Sequence, residues 1–211
     1  ASANAAVVGA AGSIGWTCTQ VLAKQCASIT MIDISHDRLN ELAEQLDGVA
    51  KGKVRVTTEI ESGIREADIV ITVSSAVHTI IEPHFIKRGA VVCDIARPRD
   101  VSARVIEERD DVLVIEGGVV EVPGDVQFNF NFGFPPRTAY ACMSETMMLA
   151  LEGRIENFTL GKEVSLQQVQ ITQELARKHG FRLAGFRSFE RALTDAEIEA
   201  IRARARRVVA V

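Results

Sequence analysis

The chain has 211 residues, 47% of them hydrophobic and 25% charged, with a formal net charge of −4. This is ordinary globular composition, enough for one large domain with a real core, and it argues against wholesale disorder. The acidic balance offers no footing for nucleic acid or an anionic membrane, and no apolar run approaches the ~20 residues that span a bilayer.

The first element is a short apolar strand, Ala5 to Val8, which breaks into Gly9-Ala10-Ala11-Gly12-Ser13-Ile14-Gly15. Bare backbone at Gly9 and Gly12 can approach a ligand closely, and Gly15 lets the new helix press on the sheet. The first amides of that helix, at Ser13, Ile14 and Gly15, point back at the turn and favour a pyrophosphate. The spacing G-x-x-G-x-x-G is one residue wider than the usual dinucleotide fingerprint, so its context decides. After the helix over 13–25 comes a β-branched strand, Ser28 to Ile32, ending in Asp33. Asp33 lies near the ~20-residue offset expected of a carboxylate that accepts ribose hydroxyls. It favours NAD by repelling a 2′-phosphate, although His36 or Arg38 can swing in to neutralise one. The alternative is that Asp33 merely starts the Ser35-His36-Asp37 turn that caps the next helix.

Leu39, Leu42, Ala43 and Leu46 repeat at helical spacing from a Ser35 cap to Asp47-Gly48. Residues 53–57 read as a third strand and 60–66 as a short helix. Residues 68–73 form a continuous apolar strand, as a sheet buried on both faces requires. It ends in Ser74-Ser75-Ala76, at the strand end where a doubly wound sheet holds ligands; Ser74 and Ser75 are either neighbours of a cofactor or a plain polar turn. Residues 83–88 fit a short helix and 90–94 a fifth strand with Cys93 in the core; Arg97 and Arg99 then either steady an anionic substrate or sit on a solvated loop, the second being favoured. Residues 102–109 are helical. Residues 112–116 are a sixth strand ending in Gly117-Gly118, where close backbone approach suits the nicotinamide end of a dinucleotide. Strands alternating with helices predict an α/β, doubly wound parallel sheet of the Rossmann type over residues 1–120.

Residues 121–211 are expected to form an aromatic segment and C-terminal helices packed on that domain. Phe128, Phe130, Phe132 and Phe134 alternate with Asn129, Asn131 and Gly133, a period of two that predicts an extended segment with one greasy face. Thr138 is positioned to cap a helix running to Gly153, with Cys142 in its first turn. A thiolate there is stabilised by the dipole, the setting of a nucleophile, but on spacing alone Cys142 reads as a packed residue, like Cys18 and Cys26. No C-x-x-C pair or metal-ligand spacing joins the four cysteines to the four histidines, so neither structural disulfides nor zinc are expected. Ser165 to Gln168 and Thr194 to Glu197 are capping boxes for two more helices. Ile198, Ile201, Ala205 and Val208 share a face of the last one, and Arg202, Arg204, Arg206 and Arg207 are a solvated basic end. The segment 180–189 folds back on the body. Because the chain begins directly on its first cofactor strand, a substrate-binding N-terminal domain is expected to be missing from it, with a homo-oligomer as the other way to complete a site. The cytoplasm is the expected compartment.

The blocks Ala6 to Gly15, Gly117-Gly118-Val119-Val120-Glu121, Tyr140-Ala141-Cys142-Met143-Ser144-Glu145, Leu151-Glu152-Gly153 with Asn157-Phe158, and Arg177-Lys178-His179-Gly180-Phe181 resemble the long-chain acyl-[acyl-carrier-protein] reductases, which form aldehydes. The resemblance covers roughly residues 4 to 185, in order. More distantly the sequence is similar to shikimate dehydrogenase-like Rossmann domains. The resemblance implies that Cys142 attacks an acyl thioester, on a carrier protein in that family, and that the acyl-enzyme is reduced by hydride from NAD or NADP held by the Gly9, Gly12 and Gly15 turn. Three features depart from the family: its N-terminal domain is absent, residues 122–136 do not follow it, and Asp33-Ile34 stands where those enzymes favour an arginine suited to NADP. The alternatives are a shikimate- or hydroxyacid-type dehydrogenase without a covalent intermediate, and a non-catalytic dinucleotide-binding module.

Overall fold

The computed structural model describes residues 2–130, 133–161 and 164–206. Asn131, Phe132, Arg207 and Val208, which enter the sequence reading, lie outside the described residues. The chain divides into two compact units, Ala1–Ile115 with Leu193–Val211, and Glu116–Ala192.

The first unit is built on strands β1 (Asn4–Val8), β2 (Ser28–Ile32), β3 (Lys53–Thr57), β4 (Ile69–Thr72), β5 (Val91–Asp94) and β6 (Leu113–Glu116), in the order β3-β2-β1-β4-β5-β6. The pairs from β3 through β5 are parallel, and β6 completes the doubly wound order, with the reversal between β1 and β4. Alternation along each strand fills two layers. Ala5, Val7, Ile29 and Met31 pack with Leu39, Leu42 and Leu46 under helices α1 (Ser13–Ala23) and α2 (His36–Glu44). Ile32 faces α3 (Ile60–Ile64), where a Cβ on Gly63 would meet its side chain at 2.6 Å.

Element ends are shorter than the sequence predicts. The expected helix over 83–88 is a single 3-10 turn, Pro83–Phe85, and the one over 102–109 is α4 (Arg104–Glu108). Ser35 occupies the N-cap of α2 without a side-chain hydrogen bond.

Three short antiparallel strands, β7 (Val119–Glu121), β8 (Thr138–Tyr140) and β9 (Arg182–Leu183), are laid in the order β8-β7-β9 in the second unit. Helices α5 (Ala141–Leu151) and α6 (Leu166–His179) enclose a core of Val122, Ala139, Met148, Leu149, Leu175 and Phe181. Thr138 is therefore not a helix cap. It pairs with Glu121, and Tyr140 takes the N-cap position. The aromatic segment is not extended: φ of +53° at Asn129 and +79° at Gly133 turn the chain. Phe128 joins the core, Phe130 is exposed, and Phe134 meets Tyr140 edge-on at 4.8 Å. Glu152 accepts from Lys178 Nζ and His179 Nε2, both at 2.6 Å, and ties the ends of α5 and α6; these two hydrogen bonds hold its carboxyl below the usual range. The capping box of α6 is present at Ser165 and Gln168. A hairpin of β10 (Arg187–Ser188) and β11 (Arg191–Ala192) closes the unit.

The last helix, α7 (Asp195–Arg206), belongs to the first unit, not with residues 121–192 as the sequence reading grouped it. Its box is formed, Thr194 Oγ1 accepting from Glu197 N at 3.3 Å and Glu197 Oε2 from Thr194 N at 2.8 Å. Arg88 donates to the carbonyls of Arg204 and Ala205 at its end, and Arg204 Nε reaches the Asp110 carbonyl at 2.8 Å.

Candidate functional site

The glycine turn leaves β1 with φ of +81° at Gly9, a conformation side chains avoid, and a Cβ there would lie 2.8 Å from the Val73 carbonyl oxygen. Both Gly9 N and Ala10 N donate to the Ile32 carbonyl, at 2.9 and 3.1 Å, so the turn is pinned to the end of β2. Gly15 is buried in the first turn of α1, where a Cβ would fall 2.0 Å from Gly9 O. These two glycines are required by packing. Gly12 differs: its φ is −76°, and a Cβ would meet nothing closer than Gly9 O at 3.4 Å. It is the N-cap of α1, with no side-chain cap, and it is exposed toward a cavity. The first amides of α1, those of Ser13, Ile14 and Gly15, have no carbonyl four residues back within the helix, so a phosphate oxygen suits them.

That cavity has a volume of about 500 Å3 and lies along the carboxyl ends of β1, β2 and β4. Gly9, Gly12, Asp33, Ser74 and Ser75 all line it, with Ile34, Ile60, Val73 and Ile80 as apolar wall. The size and the mixture of apolar wall with few polar groups suit a nucleotide. Asp33 Oδ2 accepts from Ala11 N at 3.0 Å, which fixes the carboxylate beside the turn. Asp33 does not cap α2, whose N-cap is Ser35. Ser74 and Ser75 differ in role. Ser74 Oγ donates to Asp100 Oδ1 at 2.6 Å and accepts from Ala76 N at 3.1 Å, so its hydroxyl serves the wall, while Ser75 is exposed.

Two buried acids behind this wall escape a sequence reading, Asp94 and Asp100, at 1% and 0% exposure. Asp94 accepts from Ala96 N and Val101 N, both at 3.0 Å. The available signal was an acid at the carboxyl end of a buried strand followed by a second one across the Arg97-Pro98-Arg99 turn. Burial pushes the Asp94 carboxyl up to about 6, against the hydrogen bond from Val101, with the charge of Asp100 adding to the rise. A carboxyl raised in the folded state favours folding most when protonated, and that contribution is lost as pH rises through about 6. Relative to Asp94→Asn, the unsubstituted protein therefore gains roughly 3 °C in Tm between about pH 7 and about pH 5. A melting series that shows an unchanged or reversed difference refutes this.

The other candidates lie in the second unit. Gly118 has φ of +79° and open space where a Cβ would stand, and its carbonyl accepts from Ala141 N at 2.8 Å, at the start of α5. Gly117, half-buried, precedes it. Cys142 is the second residue of α5, whose N-terminus no side chain caps; of the four cysteines it alone is exposed, Cys26 being buried and Cys18 and Cys93 half-buried. Burial raises Cys18, and raises Cys93 to about 11, so neither is a nucleophile at neutral pH. Among the described residues no cluster of His, Cys, Asp and Glu can hold a metal, and no helix is long and apolar enough to cross a membrane.

The class that results is the Rossmann domain of the NAD(P)-binding type. The chain belongs to the shikimate / quinate 5-dehydrogenase family, whose profile matches residues 1–116. It is 33% identical over 180 residues to aminotransferase PigE of Serratia sp., covering 83% of this chain and 21% of that protein. It is 28% identical over 187 residues to the long-chain acyl-[acyl-carrier-protein] reductase of Synechococcus elongatus, covering 85% and 52%. Glutamyl-tRNA reductase of Pasteurella multocida shares 29% identity over 112 residues, 49% of this chain and 26% of that one. The chain thus spans about half or less of the length of these relatives.

Proposed function

We propose that this chain carries the reducing part of an acyl-thioester reductase, in which Cys142 takes up the acyl group and an aldehyde is released. The observation that carries this is an exposed thiol in the first turn of an uncapped eleven-residue helix. Exchange between a cysteine thiolate and a thioester needs no strong base. Its sulfur bonds to the acyl carbon, the bond from that carbon to the carrier sulfur breaks, and the carrier thiolate takes the proton that Cys142 gave up. When bound, the dinucleotide supplies the hydride that reduces this enzyme thioester to an aldehyde and frees the cysteine. Asp33 within the cavity would hold the ribose, with Ser75 beside it, and the amides of Ser13, Ile14 and Gly15, next to the cavity's Gly12 edge, would hold the pyrophosphate. Gly117 and Gly118 present bare backbone in the second unit. Similarity to a relative named as a long-chain acyl-[acyl-carrier-protein] reductase supports an acyl group carried on a protein as substrate.

The test is intact mass after mixing the protein with an acyl thioester and no dinucleotide: an adduct of one acyl group is expected, mapped to Cys142. No adduct, or one elsewhere, overturns the reading in favour of a dehydrogenase without a covalent intermediate, which the family match at residues 1–116 favours.

The cofactor is read as NAD, since Asp33 is fixed beside the turn where a 2′-phosphate would meet its charge. Titration of both dinucleotides is expected to give tighter binding of NAD, by about tenfold, and Asp33→Ala to narrow the gap. Tighter binding of NADP by the unsubstituted protein removes this use of Asp33.

A further inference from the structure

The chain between β4 and the isolated bridge at Ile81 makes one wall of the cavity through Ser74, Ser75, Ala76 and Ile80. It has no regular structure, and Ser75, Val77, His78 and Thr79 are exposed. Among the described residues, the one hydrogen bond made from within 75–79 is that of Ala76 N to Ser74 Oγ. A loop so poorly supported is held only by what fastens its ends.

Both ends are fastened to the same residue. At the first, Asp100 Oδ2 accepts from Ser74 N at 3.0 Å and from Thr72 Oγ1, while its Oδ1 accepts from Ser74 Oγ at 2.6 Å. At the second, the Asp100 carbonyl accepts from Ile80 N at 2.8 Å and Ile81 N at 3.0 Å. Asp100 itself is fully buried, on the segment whose neighbouring Val101 bonds to Asp94. A buried carboxyl group with donors on both oxygens is a rigid anchor, because releasing any one donor leaves a polar group unpaired away from water.

We propose that Asp100 is a positioning residue for dinucleotide binding: it touches no ligand, but holds the Ser74 to Ile80 wall in the shape that receives one. This rests on the reading of the cavity as the dinucleotide site. The wall is thereby preorganised, and ordering of residues 75–79 is not charged against each binding event. It also explains why Ser74 has a hydroxyl, which serves as the bridge from Asp100 to Ala76 N.

The experiment measures NADH or NADPH binding by titration calorimetry and amide exchange over 75–79 in the whole chain. Asp100→Ala is expected to weaken binding about 30-fold and to speed exchange at 75–79 in the free protein. Asp100→Asn keeps an acceptor oxygen for Ser74 N and places an amide where it can donate to Ser74 Oγ, so it is expected to restore most of the affinity. Should Asp100→Ala not fold, Ser74→Ala removes one arm alone and is expected to cost about fivefold, with faster exchange at 75–79. If the unsubstituted protein binds neither dinucleotide, the reading of the cavity falls. If it binds one, and a folded Asp100→Ala or Ser74→Ala binds equally well with unchanged exchange, the role of Asp100 is refuted while the cavity stands.

Discussion

Asp in place of Gly12 is expected to leave the fold intact and abolish dinucleotide binding. Position 12 is the N-cap of α1, with φ of −76° and ψ of 164°, which any residue adopts, and a Cβ there has no neighbour nearer than 3.4 Å. Aspartate caps a helix at least as well as glycine, so Tm should stay within about 3 °C or rise. The same carboxylate projects toward the cavity and brings a negative charge to the place where the pyrophosphate belongs, so affinity is expected to fall about 1000-fold or more. Gly15→Ala gives the opposite pattern. Its Cβ would sit 2.0 Å from Gly9 O, so α1 must move away from the turn and the protein loses stability before binding can be measured. Calorimetry and thermal melts on the two variants separate a glycine kept for a ligand from one kept for packing. Dinucleotide binding by Gly12→Asp at undiminished affinity would place the cofactor elsewhere.

Cys142→Ala is expected to reduce acyl-thioester reduction by about 1000-fold or more while dinucleotide affinity is unchanged. Cys142 is exposed and is not among the residues that make the second unit's core, so its substitution creates no cavity there. A fall in activity therefore reports chemistry, not collapse. Cys142→Ser keeps a hydroxyl in the same place, yet a serine without a base remains protonated and is expected to be as inactive as alanine. Rates measured with a saturating dinucleotide and an acyl thioester test both. Retention of most of the activity by Cys142→Ala would remove the nucleophile and leave the dehydrogenase reading in force.

Much of the first unit was legible because its signals are local. Apolar runs such as Val70 with Ile71, bounded by polar turns and glycines, mark strands buried on two faces, and the glycine turn with Asp33 marks the strand ends along which the cavity lies. The boxes at Ser165 and Thr194 announce α6 and α7 by side chains three residues apart. Illegible features depend on distant partners. Thr138 looks like a cap, but its backbone is taken by Glu121 of β7, a pairing no local period reveals. The phenylalanines alternate in sequence, yet Asn129 and Gly133 turn the backbone, so Phe128 joins the core while Phe130 is exposed. Asp100 reads as one more polar loop residue until Thr72 and Ser74 are brought to it by β4. Ser74 was located correctly on the crevice, but its hydroxyl proves to face the wall.

The first unit is interrupted: its sheet is complete by β6, yet the helix whose Ile198 and Ile201 line a cavity with Val91 and Leu113 is made after the whole of Glu116–Ala192. During synthesis at about 5–20 residues per second, that helix leaves the ribosome on the order of ten seconds after β6. Truncation just before Leu193 therefore removes a helix from the first unit while every residue that lines the Gly12 cavity stays in the chain.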